Sequence, residues 1–444
     1  MKGSLRSHPI RVGTLALLAA TLGVACSAIL GVDDLPGMQR PADDGGQDAH
    51  AMGEPDANLA PGSLDPTFGE GGVVIVKTDA SLPPSVVADG LDTVVAIPSG
   101  RELVQVMRYS HEGALAQYHP VEIQWGAAEA TQAVPISPAD GNGVLVFAVG
   151  TAGDGNSYTW LTRISAAGGL EQLAGSFVGI PGTGTLELVA RPTGFVGIDT
   201  LGAEDGGRLS MQSMLNDGGP DVPFGADGLA QFDTPFESVR LRGSAAQGDG
   251  RIVIVGDGLV EAAPWAFWMR FGADGGVDRA FGPDGGIGVD KSAQTATAVL
   301  ADDTGYFVSG SAQSDGGPSD RGRILRLGPD GRRNPSYWEG GMYEFREPSY
   351  EMASVESVVA LTSPSQDVLL ALGIVRPAGG VPTIAIFRLN RNGPDPAFGQ
   401  NGIARVDRGS VSGSHSIALR SDGKLLVSWL TPDGTAKVAR YIVR

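Results

Sequence analysis

The sequence predicts an all-β fold in which one four-stranded unit is repeated seven times between residues 63 and 444, because three series of positions recur along it. The first is an aromatic residue, usually before glycine, every 47 to 60 residues: Phe68, Trp125, Phe177, Phe224, Phe281, Trp338 and Phe398. The second lies on the strand before each aromatic: Arg108, Arg163, Ser213, Arg270, Arg326, Arg388 and Arg440. The third is a tight turn before an apolar strand: Ser99-Gly100, Asp140-Gly141, Thr193-Gly194, Asp249-Gly250, Thr304-Gly305, Gln366-Asp367 and Asp422-Gly423.

The copy between Gly228 and Asp290 shows the order of the strands most clearly. Its predicted strands are Gly228–Asp233, the small-residue strand Ser238–Gln247, the apolar strand Arg251–Asp257, and Ala266–Asp274. Four short strands per copy, stacked in series, are typical of a β-propeller, and seven copies predict seven blades. The 67 glycines fit this fold because most of them stand in turns, and Asp-Gly pairs predict type I′ hairpins.

The two ends of the repeat region predict how the ring closes. Gly72–Asp79 has the character of the strand that follows each Phe-Gly turn, and Lys437–Arg444 has that of the arginine strand. Because these two kinds of strand are adjacent in every internal copy, the N-terminal strand is expected to complete the last blade beside the C-terminal strand. Such pairing removes the open edge that a linear stack would leave.

Residues 1–25 predict a secretory signal peptide. Lys2, Arg6 and Arg11 precede the apolar stretch Val12–Val24, which is too short for a comfortable membrane span. The end of this stretch, followed by Cys26, resembles the lipobox of bacterial lipoproteins. The resemblance implies a lipid on Cys26 and export. With Ser27 next, it also implies the outer membrane, on its periplasmic face or at the cell surface. Ordinary cleavage beside an incidental cysteine is the alternative.

Residues 26–62 predict a disordered tether between the lipid and the propeller. The segment is rich in aspartate, proline and glycine, has Arg40 as its only base, and shows no apolar period. Such a chain extends by self-repulsion and cannot bury a core.

The net charge of the chain is −18, and removal of the basic leader would bring it to about −21. So acidic a surface repels phosphate backbones and argues against nucleic acid as a partner. The charge suits the solubility of an exported protein, and a cation-binding surface is the alternative. Cys26 is the only cysteine, so no intramolecular disulfide can form.

Three segments resemble the delta-sixty repeat, a bacterial β-propeller repeat. They are Leu64–Val73 (LDPTFGEGGV), Asp395–Gly402 (DPAFGQNG) and Ser421–Val427 (SDGKLLV). The resemblance covers roughly residues 63–444 and is weakest between Gln124 and Leu201. It implies the propeller fold, and no general activity is established for the family.

No catalytic, cofactor or metal site is predicted. His111 stands at a turn tip, His119 in a loop, and His415 on an inner strand where a side chain can face the central channel. Three scattered histidines do not make a zinc site. The Asp-Gly strings at 140–143 and 153–156 favour turns, with calcium loops as the alternative, because the D-x-D-x-D-G spacing is absent.

Two repeated features have a structural and a functional interpretation. Trp265, Phe267 and Trp268 could form a sugar-stacking platform, but alternation favours packing between blades. The arginine series could form an anion ring, but its recurrence favours a hydrogen bond or cation–π contact that stabilises each repeat.

The sequence therefore predicts a monomeric, exported propeller without cofactors, anchored to the membrane through Cys26. A non-enzymatic binding or scaffold module of the cell envelope, with a protein or polysaccharide ligand, is favoured over an enzyme. The alternatives are a hydrolase or lyase with its site at the mouth of the channel, and an assembly subunit of a larger envelope complex.

Overall fold

A computed structural model of the protein describes residues 59–77, 80, 82–99, 103–122, 127–135, 143–151, 157–165, 167, 169–172, 186–200, 207–313, 319–345, 350–363, 366–377, 381–406 and 412–444. The predicted signal peptide, Cys26 and the predicted tether through residue 58 lie outside the described residues. All the regular elements in these ranges are β-strands. No helix in the described part of the chain is long and apolar enough to cross a membrane.

The strands form seven antiparallel sheets that follow one another along the chain. In chain order they are β1 Val73–Lys77, β2 Ser85–Asp89, β3 Asp92–Pro98, β4 Leu103–Tyr109, β5 Leu115–Glu122, β6 Ala127–Pro135, β7 Gly143–Thr151, β8 Ser157–Ser165, β9 Leu170–Gln172, β10 Leu186–Arg191, β11 Gly194–Thr200, β12 Arg208–Leu215, β13 Leu229–Asp233, β14 Ser238–Ala246, β15 Ile252–Val260, β16 Ala263–Phe271, β17 Ile287–Asp290, β18 Ala293–Asp302, β19 Gly305–Gln313, β20 Ser319–Leu327, β21 Met342–Glu344, β22 Tyr350–Ser363, β23 Gln366–Pro377, β24 Thr383–Asn390, β25 Gly393–Pro394, β26 Ile403–Arg405, β27 Ser412–Leu419, β28 Leu425–Leu430 and β29 Ala436–Tyr441.

Each sheet is one blade, which confirms the seven-bladed β-propeller. Blade 1 is β2–β5, blade 2 is β6–β9, blade 3 is β10–β13, blade 4 is β14–β17, blade 5 is β18–β21, blade 6 is β22–β26, and blade 7 is β27–β29 with β1. Six apolar clusters each combine buried residues of two neighbouring blades, so the core lies between the blades.

The predicted closure of the ring is also confirmed. Strand β1 pairs antiparallel with β29, with Val73 opposite Ala439, and becomes the outer strand of the last blade. The bonded segment begins slightly before residue 63, because Gly62 N–H donates to the Ile442 carbonyl and Gly399 N–H donates to the Pro61 carbonyl. The N-terminal segment therefore contacts both blade 7 and blade 6.

The first strands of the blades surround the axis, and each contacts the first strands of its two neighbours. The small residues of Gly243–Ala246, Ala293–Ala298 and Ser412–Ala418 fall on these strands, as predicted. Several first strands carry β-bulges, which bend the strand where it runs close to the axis.

The Asp-Gly hairpins were predicted to be type I′ turns, and this is wrong. At Asp249-Gly250 only the glycine has a positive φ, of 84°, and its N–H donates to the Gln247 carbonyl. That geometry is a turn closed by a glycine bulge, the usual form of a slightly longer hairpin loop. Positive φ at two successive residues occurs instead after each Phe-Gly, as at Asp227 and Gly228, and at Glu261 and Ala262, where β15 runs directly into β16.

Blades 1 and 2 differ from blades 3, 4 and 5 in the length of the connection between the third strand and the outer strand. In blades 1 and 2 a short turn leads from the third strand to the outer strand, at residues 110–114 and 166–169. In blades 3, 4 and 5 the same connection is more than ten residues long and contains the aromatic. Trp125 and Phe177 therefore follow the outer strand instead of preceding it, and both lie outside the described residues.

Candidate functional site

The propeller has two faces with different connections. Turns between first and second strands, and between third and outer strands, lie on one face, which we call the turn face. Connections between second and third strands, and from each outer strand to the next blade, lie on the other, which we call the loop face.

The arginine series forms a layer of buried contacts on the turn face, and Arg270 in blade 4 shows them most completely. Its Nε donates to Asp278 Oδ2 at 2.8 Å, and its Nη1 donates to the Pro329 carbonyl of blade 5 at 2.5 Å. Its guanidinium carbon lies 4.4 Å from the centroid of the Phe281 ring. The side chain thus joins the Asp-x-x-Phe turn of its own blade to a turn of the next.

Arg388 in blade 6 and Arg440 in blade 7 repeat this contact set. Arg388 pairs with Asp395 at 2.8 Å, donates to the Val443 carbonyl at 2.8 Å and lies 6.0 Å from the Phe398 ring. Arg440 pairs with Asp65 at 2.6 Å, donates to the His111 carbonyl of blade 1 and lies 4.8 Å from the Phe68 ring. The predicted repeat-stabilising role is confirmed for these arginines, because each charge is matched by a carboxylate and none is left for an anion ring.

Asp65 is the most strongly held of these carboxylates. Its Oδ2 accepts from Lys424 Nζ at 2.7 Å and from Arg440 Nε at 2.6 Å, and Thr67 bonds Oδ1. Burial opposes ionisation, but the bonds from Lys424 and Thr67 and the charge of Arg440 outweigh it. They hold the pKa of Asp65 well below its ordinary value.

Blade 5 keeps the arginine and changes its partners. Asn334 stands where the other turns have aspartate, and Arg326 pairs instead with Asp302 at 2.9 Å. The turn aromatic over this arginine is Tyr337, 5.1 Å away, so the prediction of Trp338 for the series is wrong by one residue. The Phe307 ring of β19 lies closer still, at 4.2 Å. Trp338 occupies the glycine position and has a φ of 45°.

Blade 3 has Ser213 in the arginine series, and Arg191 from the end of β10 takes over the role. Its Nη2 donates to Asp221 Oδ2 at 2.6 Å and to Ser213 Oγ at 2.5 Å. Its Nη1 donates to the Ala273 carbonyl of blade 4 at 3.0 Å, and its guanidinium lies 5.1 Å from the Phe224 ring. The contact set is conserved although the arginine comes from another strand.

The loop face is formed by the other set of connections. Its described connections include two exposed residues each at 261–262 and 291–292 and four residues at 234–237. Phe267 and Trp268 are buried on opposite faces of blade 4, as the packing interpretation predicts. Trp265 is half-buried at the loop face, where Lys291 Nζ lies 4.3 Å from its ring.

The three histidines of the folded part are far apart in the fold. His111 is exposed at a turn tip, and its Nε2 lies 3.7 Å from Glu112 Oε1. His119 was predicted in a loop, and this is wrong, because it lies on β5 and pairs with Val106 of β4. Its Nε2 is buried without a hydrogen-bond partner among the described residues. His415 lies on β27, the first strand of blade 7, as predicted.

Two acidic residues of blade 3 have unusual surroundings that the sequence did not reveal. Burial raises the pKa of Glu187, on β10, to about 7. Burial likewise raises the pKa of Asp199, on β11, to about 6, although a backbone bond from Thr200 opposes the shift. Both read as ordinary strand acids in the sequence, and only the packing of blade 3 distinguishes them.

Among the side chains that the structure describes, no three His, Cys, Asp or Glu residues lie close enough together to hold a metal ion. A small cavity between blades 4 and 5, lined by Trp268, Ser309 and Arg323, has room for about one water molecule. Asp140–Asn142 and the 153–156 string, considered as calcium loops, lie outside the described residues.

No family model matches the sequence, and no curated protein matches it. Solved structures do show similarity. A variant of the Synechocystis apocarotenoid oxygenase has a TM-score of 0.46 and 11% identity, over 78% of this chain and 74% of that chain. The extracellular domains 1-2 of Drosophila semaphorin 1a have a TM-score of 0.41 and 10% identity, over 84% of this chain and 88% of that chain. Likenesses this weak carry no argument about function.

Proposed function

We propose that the protein is an exported, lipid-anchored binding or scaffold module of the bacterial cell envelope, which binds a protein or polysaccharide through its loop face. The observation that carries the proposal is the unequal use of the two faces. Turn-face side chains such as Arg270, Arg388 and Arg440 are committed to contacts between blades. The loop face instead presents exposed connections, such as Glu261-Ala262 and Lys291-Ser292, on a closed ring.

Rigid scaffolds with variable loops suit recognition, because loops tolerate changes of length and side chain that the strands cannot. The ring also needs little ordering when it binds, so less binding free energy is lost. The Cys26 resemblance supports the anchor, and the acidic composition of residues 26–62 supports a tether that holds the propeller away from the bilayer.

Site-specific photocrosslinking of the full-length protein in the cells that export it tests the binding face. A photoreactive residue is placed on the loop face at Lys291 or Val381, and on the turn face at Asp284 or Arg332, all of which are exposed. We expect one dominant crosslinked product, protein or glycan, from the loop-face positions only. Equal crosslinking from the turn face, or none from the loop face, would contradict the proposal.

The anchor is tested separately with Cys26→Ser. The wild-type protein is expected in the membrane fraction, and the variant is expected to be soluble after the signal is cleaved. A wild-type protein released without its lipid would favour ordinary signal cleavage instead, without affecting the loop-face experiment.

A further inference from the structure

The turn face changes sign where blades 6 and 7 meet. Among the described side chains of the turns and of the arginine series, blades 1, 3, 4 and 5 each have more acidic than basic residues. Blades 6 and 7 together have six basic residues and four acidic ones: Arg388, Arg391, Arg420, Lys424, Arg440 and Arg444 against Asp65, Glu70, Asp395 and Asp422. A chain with a net charge of −18 therefore carries a basic region on its turn face.

Most of the carboxylates in this region already have a cation. Asp65, Asp395 and Asp422 each lie within hydrogen-bond distance of an arginine, and Lys424 Nζ also bonds Asp65, at 2.7 Å. Arg391 and Arg444 are exposed at the surface of the same region. The positive charge that these pairs do not balance therefore reaches the solvent.

Arg420 is a buried source of this excess charge. Its side chain is 2% exposed, and its Nη2 donates to Asp422 Oδ2 at 3.1 Å. Its Nε and Nη1 are buried and have no hydrogen-bond partner among the described residues. In blade 5 the same hairpin position holds Asp302, which pairs with Arg326. Blade 7 instead has a second buried guanidinium there, beside Arg440, and a buried charge with few partners attracts an anion.

The chain enters the described structure beside this region. Residues 62–65 run antiparallel to residues 440–442, to which they are hydrogen-bonded. Residues 59–61 therefore lie toward Arg444. The Arg444 side chain lies in turn against the first hairpin of blade 7, because a Cβ on Gly423 would be 3.0 Å from its Nε.

The segment that precedes the entry point has the opposite charge. Residues 46–58 contain Asp48, Glu54 and Asp56 and no lysine or arginine. Asp56 is four residues before Ala60, so their Cα atoms can be at most about 14 Å apart. Because the segment is covalently joined to the propeller, its effective concentration at the basic region is of millimolar order, and charge pairs that are individually weak are enough to hold it.

We propose that the acidic segment 46–58 binds the basic patch formed by Arg391, Arg420, Lys424 and Arg444 on the turn face of blades 6 and 7. Binding there covers the junction at which the ring closes and leaves residues 26–45 as the tether. The proposal concerns the turn face and does not depend on ligand binding at the loop face.

Photocrosslinking within the full-length protein tests the contact. A photoreactive residue replaces Ala51, which is far enough from the entry point for an unbound segment to reach several blades. We expect crosslinks mainly to peptides from 388–402 and 420–444. Their yield should fall roughly fivefold in about 1 M sodium chloride, where the Debye length is about 3 Å.

Charge reversal identifies the two partners. Arg391→Glu combined with Arg444→Glu should reduce these crosslinks as strongly as salt does, because the exposed cations of the patch are lost. Glu54→Lys combined with Asp56→Lys should do the same from the other side. Combining all four changes should restore part of the yield, because opposite charges meet again.

The matched control is Arg279→Glu combined with Arg332→Glu, two exposed arginines on the turn face of blades 4 and 5, and it should leave the crosslinks unchanged. Crosslinks spread evenly over the blades, formed only between two chains, or unaffected by salt and by charge reversal would overturn the proposal. If the patch variant does not fold, the Glu54 and Asp56 variant decides alone, since it changes no residue of the ring. Loop-face crosslinking is measured at other positions, so either result leaves the proposed function to its own test.

Discussion

Blades 7 and 3 hold the same buried guanidinium contacts with arginines from different strands. In blade 7 the arginine is Arg440 on the third strand, which pairs with Asp65 and donates to a carbonyl of blade 1. In blade 3 it is Arg191 at the first hairpin, which pairs with Asp221 and donates to a carbonyl of blade 4. The comparison shows that the same contacts between neighbouring blades can be made by an arginine from more than one backbone position.

Replacing Arg440 with alanine should have the largest effect. The change leaves Lys424 and Thr67 as the hydrogen-bond partners of the buried Asp65 and removes the bond to the His111 carbonyl, at the place where the ring closes. Breaking a buried pair costs about 3–5 kcal/mol, so the urea midpoint should fall sharply with little change in slope. An unchanged midpoint would show that the pairing of β1 with β29 closes the ring without this contact.

Exchanging the two residues in blade 3 tests the equivalence directly. Arg191→Ser alone should cost about 3 kcal/mol, since it leaves Asp221 without its guanidinium. Adding Ser213→Arg returns the arginine to the position used in blades 4 to 7 and should restore more than half of the lost free energy. Urea unfolding of both variants gives the interaction free energy between positions 191 and 213. A double variant that is no more stable than Arg191→Ser would mean that the two positions are not interchangeable.

The acids of the two blades should respond to pH in opposite directions. The pKa of Asp65 is lowered, so its contribution is present above pH 4 and is lost as the pH falls below that. The pKa of Glu187 is raised from 4.5 to about 7, so its contribution is present below pH 4.5 and is lost as the pH rises to 7.

Melting temperatures measured across this pH range check the opposite pH dependence of the two acids. Between pH 5 and pH 8 the melting temperature of the wild type should fall as the pH rises, and that of Glu187→Gln should fall by a few degrees less. Below pH 4 the melting temperature of the wild type should fall as the pH falls. In Asp65→Asn this part of the fall should be absent. A parallel pH profile in the wild type and Glu187→Gln would contradict the assignment.

The smallest effect is expected at Arg208, which pairs with Asp233 at 2.6 Å on the surface of blade 3. Arg208 and Asp233 are both exposed, so water and salt screen the pair. Arg208→Ala should therefore leave the urea midpoint almost unchanged. A loss as large as that of Arg191→Ser would remove the distinction between buried and exposed arginines.

The fold could be predicted because the same weak residue patterns recur seven times along the chain. The errors arise where two geometries share one residue pattern. Asp-Gly serves both a type I′ turn and a glycine bulge, so Asp249-Gly250 was assigned the wrong turn. Two aromatic residues stand side by side at Tyr337 and Trp338, and the wrong one was chosen, since Tyr337 holds the position of the other turn aromatics over the arginine.

The candidate sites were less visible in the sequence. Ser213 signalled a missing arginine, and an arginine at the first hairpin of the same copy was the clue to its replacement. The β-bulges of the first strands are properties of strand pairing and leave no local pattern in the sequence. The raised pKa of Glu187 depends on how blade 3 packs, which its neighbours in the chain do not specify.

The pairing of β1 with β29 also determines the order in which the blades can be completed during synthesis. A chain made from its N-terminus presents β1 before blades 1 to 6, yet its partner Ala436–Tyr441 follows all of them. Contacts this distant in sequence form slowly because a very long loop must close first. Of the seven blades, blade 7 is therefore the last to be completed, and a chain without Ala436–Tyr441 would leave β1 and β28 each with an unpaired edge however well its other blades had folded.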